Sequence, residues 1–323
     1  MRQVVTYRHG PPDVLAVVDT PTPHAGSGQV VVQVAAAGVN YLDVYQRSGA
    51  YTVPLPFPLG VEGSGVVVEA GPDTPGFDVG DRVVWMGGRG AYATHCLVAA
   101  DSLIKVPTAV ALTDAAAVLV QGMTAHFLAT DVVRLGVGDT CLVHAAAGGV
   151  GGLLTQLAVQ RGATVVATVS TAAKAEAARQ AGAAHVIDYS SGEFAQRVMD
   201  VTGGIGVDAV YDGQGGSIVE EGLRCLRPRG AFVLYGQTAG PVAPLDPRLL
   251  NARGSLFFTK PSLSHYDTTP DAVSRRAGEV LACVADGRLT PRVHGHYLLE
   301  GAAQAHTALE TRATIGKLLL CPR

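Results

Sequence analysis

The stretch Ala146-Ala147-Gly148-Gly149-Val150-Gly151 follows an apolar run over residues 140–145. It opens directly into a helical pattern over 151–161, with Leu153, Leu154, Leu157 and Ala158 on one face. Small residues in the spacing Ala146-x-Gly148-x-x-Gly151 let a backbone come close to a pyrophosphate. The free N–H groups and positive dipole end of the helix meet its negative charge. Strand, loop and helix in that order are the context that separates a dinucleotide loop from a chance match. The pyrophosphate is therefore expected on Gly148, Gly149, Val150 and Gly151.

A free ribose 2′-hydroxyl is usually held by an Asp or Glu at the end of the second strand, about 20 residues past the loop. Here that strand, residues 164–169, ends in Val169 and Ser170, and no acid appears before Glu176. Lys174 opens the next helix instead. A 2′-phosphate suits Lys174, with hydroxyl donors from Ser170 and Tyr189. NADPH is expected over NADH.

The elements that must position these residues change character along the chain. Residues 1–120 are β-rich, with short strands at 30–34, 65–69, 81–85 and 92–98 separated by Pro, Gly and Asp turns. That pattern predicts a compact, barrel-like unit. Beyond residue 120, strands at 140–145, 164–169, 185–189, 208–212, 231–235 and 255–259 alternate with helical stretches such as 151–161 and 172–181. Six strands with crossovers predict a doubly wound parallel sheet. Loops at the carboxyl ends of such strands face the cofactor, which adds Tyr235, Gly236 and Gln237 to the expected site. After Lys260 come a loop, a helix over 271–285 and a strand over 316–320 that returns to the first unit.

Composition narrows the function classes. Of 323 residues 48% are apolar and 16% charged, an ordinary core-forming balance, so two domains are expected rather than disorder. The net charge of −3, the sparse aromatics and the absence of a basic run argue against a nucleic-acid partner. No stretch reads as a membrane span, since tracts such as 30–39 are broken by Gln33 and Gly38, and the N-terminus lacks a signal-peptide core. A cytoplasmic location is expected. The five cysteines, Cys96, Cys141, Cys225, Cys283 and Cys321, are odd in number and widely spaced. They suit neither a disulfide framework nor a CxxC metal site and are expected as small buried hydrophobes.

Further segments carry a family resemblance. They are Ala36-Ala37-Gly38-Val39-Asn40, Leu59-Gly60-Val61-Glu62-Gly63-Ser64-Gly65 and Val79-Gly80-Asp81-Arg82-Val83. Together with residues 145–151 they resemble the medium-chain dehydrogenase/reductase superfamily. Tyr45-Gln46-Arg47-Ser48-Gly49-Ala50-Tyr51, Thr259-Lys260-Pro261-Ser262-Leu263 and Thr311-Arg312-Ala313-Thr314 are similar to its quinone oxidoreductase, zeta-crystallin-like branch. The resemblance spans nearly the whole chain. It implies an α/β fold with a GroES-like β-rich catalytic domain over 1–120 and 261–323 and a Rossmann NADPH-binding domain over 121–260.

Zinc alcohol dehydrogenases of the same superfamily place a Cys ligand where this chain has Asn40, and a His ligand where it has Val61. A catalytic zinc needs about three protein ligands, so no metal is expected. Glu62 is expected as a structural, hydrogen-bonded carboxylate, and the close pair His294 and His296 as a surface turn. The resemblance further implies that Asn40 and Tyr51 serve the chemistry, the amide donating to the nicotinamide carboxamide or to a substrate carbonyl, and the phenol donating to a quinone oxygen or stacking against a flat ring. It implies that Tyr45, Thr124, Ser262, Leu263 and Arg312 approach the cofactor. Gln237 stands where the branch commonly has Asn, and Lys260 where it commonly has Arg.

Without a Lewis acid, reduction of an acceptor that already takes hydride well is the easier chemistry. The expected activity is NADPH-dependent quinone reduction. The alternatives are reduction of the double bond of alkenals, enones or enoyl thioesters, and a non-catalytic, crystallin-like NADPH-binding protein. The family also implies a homodimer formed through the edge strand at 255–259.

Overall fold

The structure, a computed structural model, describes residues 1–322. It divides into two compact units, Met1–Met123 with Thr269–Arg323, and Thr124–Thr268. These boundaries lie slightly C-terminal to residues 120 and 260, and the first falls inside the helix Leu112–Phe127.

The first unit is organised by the strand Gln29–Val39, whose valines at 30, 31, 32 and 34 are all buried. It pairs antiparallel with Glu62–Ala70, His95–Ala99 and Lys317–Leu320 in a seven-stranded sheet. The core joins Val30, Val32, Val67, Val83, Trp85 and Tyr92 to Leu318 and Leu320. Register matters here. Leu318 pairs with Val39, and Ala37 with Gly63. The starts of two distant strands, at Lys317 and Glu62, are thereby brought to the end of the long one, next to Asn40.

The second unit is a six-stranded, all-parallel sheet. Its strands run in the spatial order His185–Asp188, Thr164–Val169, Thr140–Val143, Val207–Asp212, Leu226–Leu234, Phe257–Thr259. Chain direction across the sheet reverses between Thr140–Val143 and Val207–Asp212, which is the topological switch point of a doubly wound fold. The loop at 145–148 leaves the sheet there.

Two expectations need correction. His294 and His296 lie on a strand, Val293–Tyr297, parallel to Lys317–Leu320, rather than in a turn. Both histidines project from its exposed face, so their polarity hid the strand. The helical run Leu112–Val132 is long and apolar enough to cross a membrane by length and composition, contrary to the sequence reading. Its window is 61% buried, and Ala116 and Ala117 pack against Ala36 and Leu319, as a core helix does. It went unread because it is apolar on all sides and shows no amphipathic face. All five cysteines are free, but Cys321 is only half-buried, unlike the other four.

Candidate active site

The loop after Thr140–Val143 is shaped by one carbonyl. Ala145 takes a left-handed conformation, φ 51°, and its oxygen accepts from Gly148 N at 2.8 Å. A side chain at Gly148 would stand 3.1 Å from that oxygen. One at Gly151 would collide with the same oxygen and lie 2.9 Å from Ala146 Cα. Close backbone approach thus requires glycine at 151 and leaves little room for a side chain at 148. The helix Gly149–Gln160 begins at the N-cap Gly148 with no side-chain cap. Helix geometry leaves the N–H groups of Gly149, Val150 and Gly151 without intrahelical acceptors. Three such donors in succession at a helix N-terminus suit an anion such as a pyrophosphate.

On one side of this loop the register pairs Val169 with Asp188, which sets Ser170 and Tyr189 at adjacent strand ends. Lys174, in the first turn of Ala172–Gln180, reaches Ser170 Oγ with Nζ at 3.4 Å. Tyr189 packs on the core beneath the strands. The carboxylate on the neighbouring strand, Asp188, accepts from Ser190 N at 2.9 Å. An ammonium and hydroxyl groups, with no carboxylate on the second strand, fit a 2′-phosphate better than a bare ribose. Lys174→Ala is therefore expected to weaken NADPH binding about tenfold to a hundredfold and to leave NADH within about twofold. Fluorescence titration of both cofactors measures this. Parallel losses for the two would remove Lys174 from 2′-phosphate recognition.

On the other side, the strand ends of Val207–Asp212 and Leu226–Leu234 abut. A side chain at Gly213 would meet the Tyr235 ring at 2.7 Å, and one at Gly236 the Gly213 oxygen at 2.6 Å. Gln237 Oε1 accepts from Lys260 Nζ at 2.9 Å, so the residue that replaces the branch arginine is held by a hydrogen bond within the site. Ser262 N-caps the short turn Leu263–His265, and its Oγ lies 2.9 Å from Ser264 Oγ. Thr124 is the first residue of this unit.

The first unit holds a buried polar chain that sequence reading did not assemble. Lys317 Nζ donates to Asn40 Oδ1 at 2.8 Å and pairs with Glu62 Oε1. Asn40 Nδ2 donates to Glu62 Oε1 at 2.7 Å and to Gly38 O at 3.3 Å, and Glu62 Oε2 accepts from Val120 N at 3.0 Å. An ammonium only donates and a carboxylate only accepts, so the Asn40 amide has one possible orientation. Asp43 Oδ2 accepts from Asn40 N at 2.8 Å and from the Tyr92 hydroxyl at 2.9 Å, and its Oδ1 from Val61 N at 3.2 Å. These bonds pin the start of the helix Tyr41–Ser48 to the strand Glu62–Ala70. Tyr92 continues to His306 at 3.3 Å, and His306 to Arg47 at 3.4 Å. Arg47 grips Glu310 with two bonds of 2.8 Å.

Glu62 has the structural role expected of it. Asn40 does not have the expected donor role, because both amide hydrogens are engaged within the protein and none remains for a substrate carbonyl. It caps the helix that presents the tyrosines. Tyr45 lies 5.3 Å from Tyr51 and 6.1 Å from Tyr41, ring centre to ring centre. Tyr51 is 54% exposed. Arg312 lies in the turn after Ala302–Glu310 with φ 55° and belongs, like Asn40, Tyr45 and Tyr51, to the first unit.

Burial sets the titration of this scaffold. It lowers His144 and His306 to about 3, the latter with help from Arg47, and raises Asp43 to about 7 against the pull of its hydrogen bonds. Below about pH 6.5 the unfolded chain protonates both histidines while the folded chain does not, so each costs stability as pH falls toward 3. Asp43 has the opposite sign, since its folded pKa lies above the unfolded value and acidification from 7 to 4 favours the fold. His306 and Asp43 therefore offset each other, and between about 6 and 4 His144 is offset by Asp212, which burial raises to about 6. His144→Gln is expected to lower the slope of unfolding free energy against pH by about 1.4 kcal/mol per pH unit between about 6 and 4. Urea melts across that range measure it, and an unchanged slope would show that His144 titrates freely.

Among the described residues, no group of three or more His, Cys, Asp or Glu is arranged to hold a metal ion. A family model described as zinc-binding dehydrogenase matches residues 149–271, and one described as alcohol dehydrogenase GroES-like domain matches 26–108. The chain is 38% identical to quinone oxidoreductase of Pseudomonas aeruginosa, over 97% of both chains. It is 39% identical to 2-haloacrylate reductase of a Burkholderia species, over 99% of this chain and 98% of that one. The crystal structure of Escherichia coli quinone oxidoreductase complexed with NADPH superposes with a TM-score of 0.96 at 36% identity, covering 100% of each chain.

Proposed function

Because the chain belongs to the medium-chain dehydrogenase/reductase superfamily, in its quinone oxidoreductase branch, we propose that it reduces quinones with NADPH and without zinc. The observation that carries the proposal is the cradle at Gly148–Gly151 flanked by Ser170 and Lys174, in a chain similar end to end to quinone oxidoreductases. When bound, the reduced nicotinamide supplies the two electrons and one hydrogen that convert a quinone to its hydroquinone anion. Solvent completes the product with a proton.

The protein's part is to hold and to orient. Gly149, Val150 and Gly151 bind the pyrophosphate through backbone N–H groups, while Lys174, Ser170 and Tyr189 select the 2′-phosphate. Tyr235, Gly236, Gln237, Ser262 and Leu263 serve the nicotinamide half, and Thr124, Tyr45 and Arg312 complete the contacts. Tyr51, exposed and tilted against Tyr45, offers a phenol to a quinone oxygen. Asn40 acts through the helix it caps. The zinc-free proposal rests on Lys317. Its ammonium already engages Asn40 and Glu62, the groups beside which a metal would have to be held. Two cations there would repel.

The protein is proposed to work in the cytoplasm as a homodimer. Phe257, 64% exposed on the sheet's edge strand, supplies an unpaired apolar edge for a second copy, while Phe258 stacks inward on Phe232. No membrane or nucleic-acid partner is proposed.

The similarity to 2-haloacrylate reductase favours one second activity, reduction of a conjugated double bond. NADPH oxidation measured against 1,4-benzoquinone, a 2-haloacrylate and an enone separates the two. Turnover dominated by the quinone supports the proposal. Turnover confined to the acrylate or enone transfers the chemistry to carbon–carbon double bonds, and tight NADPH binding with no turnover leaves a non-catalytic binder.

A further inference from the structure

The turn that follows Val207–Asp212 contains a buried amide nitrogen with nothing to bond. Gln214 is 5% exposed, and its Nε2 has no hydrogen-bond partner. A buried donor left unpaired is costly, and native proteins retain one chiefly where a ligand or a function uses it. The position is built rather than loose. Asp212 Oδ1 accepts from Gln214 N at 2.7 Å, and Gln214 O accepts from Ala239 N at 2.7 Å. Gly213 O accepts from Thr238 N at 3.2 Å, so the turns after the fourth and fifth strands are laced together.

Other orphaned atoms of this unit have no such setting. His144 Nε2 faces Gly222 in the core beside the edge of Phe194. Arg253 Nε lies next to Gly254, which abuts Pro228 near the opposite end of its strand. Gln214 instead sits at the carboxyl ends of the strands. Tyr211 pairs with Val143, so the turn at Gln214 and the loop at Ala146 leave the sheet side by side across the switch point. A doubly wound sheet binds one mononucleotide on each half. Lys174, Ser170 and Tyr189 mark the first three strands as the adenosine side, which leaves the side of Gln214 for the nicotinamide mononucleotide.

We propose that the Gln214 carboxamide is a ligand of the nicotinamide mononucleotide half of the cofactor, donating through Nε2 to one of its oxygens. This rests on the NADPH-binding reading above. Gln214 recognises what NADPH and NADH share, whereas Lys174 recognises what distinguishes them.

Calorimetric binding to the cofactor-free protein tests it with three probes: NADPH, NADH and adenosine 2′,5′-bisphosphate, which lacks the nicotinamide half. Gln214→Met keeps the side-chain length and removes the donor. It is expected to raise Kd for NADPH and for NADH by about three- to tenfold each, and to leave the bisphosphate within about twofold. The melting temperature of the cofactor-free variant should equal or exceed that of wild type, since an unsatisfied donor has gone. Unchanged Kd for NADPH, or an equal loss for the bisphosphate, overturns the proposal. If the Met variant fails to fold, Gln214→Ala carries the same expectations. Wild-type protein that binds none of the three probes would instead overturn the cofactor reading itself.

Discussion

Gly151→Val is expected to raise the Kd for NADPH by more than about a hundredfold while leaving the protein folded. The added Cβ collides with the Ala145 carbonyl oxygen and stands 2.9 Å from Ala146 Cα. Both obstacles are backbone, so no rotamer change relieves them. Ala145 already sits at φ 51°, a region that costs a non-glycine residue about 1 kcal/mol or more, and has little freedom left to turn its carbonyl away. The loop must therefore shift by the order of an ångström. The N–H groups of Gly149, Val150 and Gly151 move with it, and an anion site made of converging backbone donors does not survive such a shift. Calorimetric titration gives the Kd, and circular dichroism shows whether the sheet persists. A Kd within threefold of wild type would mean that the pyrophosphate lies elsewhere.

The second large effect lies in the first unit. Lys317 and Glu62 are at most 1% exposed and bound to each other. Lys317→Met leaves the Glu62 carboxylate buried with only neutral donors, Asn40 Nδ2 and Val120 N, to answer its charge. Breaking one side of a buried pair costs about 3–5 kcal/mol, which corresponds to a fall in melting temperature on the order of 10 °C. Removing both charges together is far milder, because the penalty comes from the stranded ion rather than from lost attraction. The double substitution Lys317→Met with Glu62→Gln should recover most of the loss. Thermal melts of the two singles and the double form the cycle. A Lys317→Met variant as stable as wild type would show that the buried pair is not what holds this end of the unit together.

What the sequence disclosed divides along the range of the interactions. The cradle was legible because strand, Gly148, Gly151 and helix are contiguous, and each has a local reason to be what it is. That Ser170, Lys174 and Tyr189 would lie near one another was legible because a doubly wound sheet returns every strand end to the same side. Lys317 was read only as part of a terminal strand, since it meets Asn40 across 277 residues of chain. Its partner could be named only once the register of Lys317–Leu320 against Gln29–Val39 was known. That same contact altered the role of Asn40. As an isolated amide it looked free to donate to a substrate, but the network consumes its hydrogens. Gln214 gave no sign either, because an unpaired donor is visible only when every neighbour is in place. The helix Leu112–Phe127 failed for a different reason, having no polar face to reveal its period.

The loop and its flanks are proposed as a site for NADPH in a protein that reduces quinones without a metal. One experiment bears on that claim most directly: steady-state kcat/KM for NADPH and for NADH with 1,4-benzoquinone as acceptor, before and after exhaustive chelation. Quinone turnover with NADPH favoured at least tenfold, and unaffected by the chelator, is the predicted result. Equal use of NADH, loss of turnover on chelation, or no quinone reduction at all would contradict it.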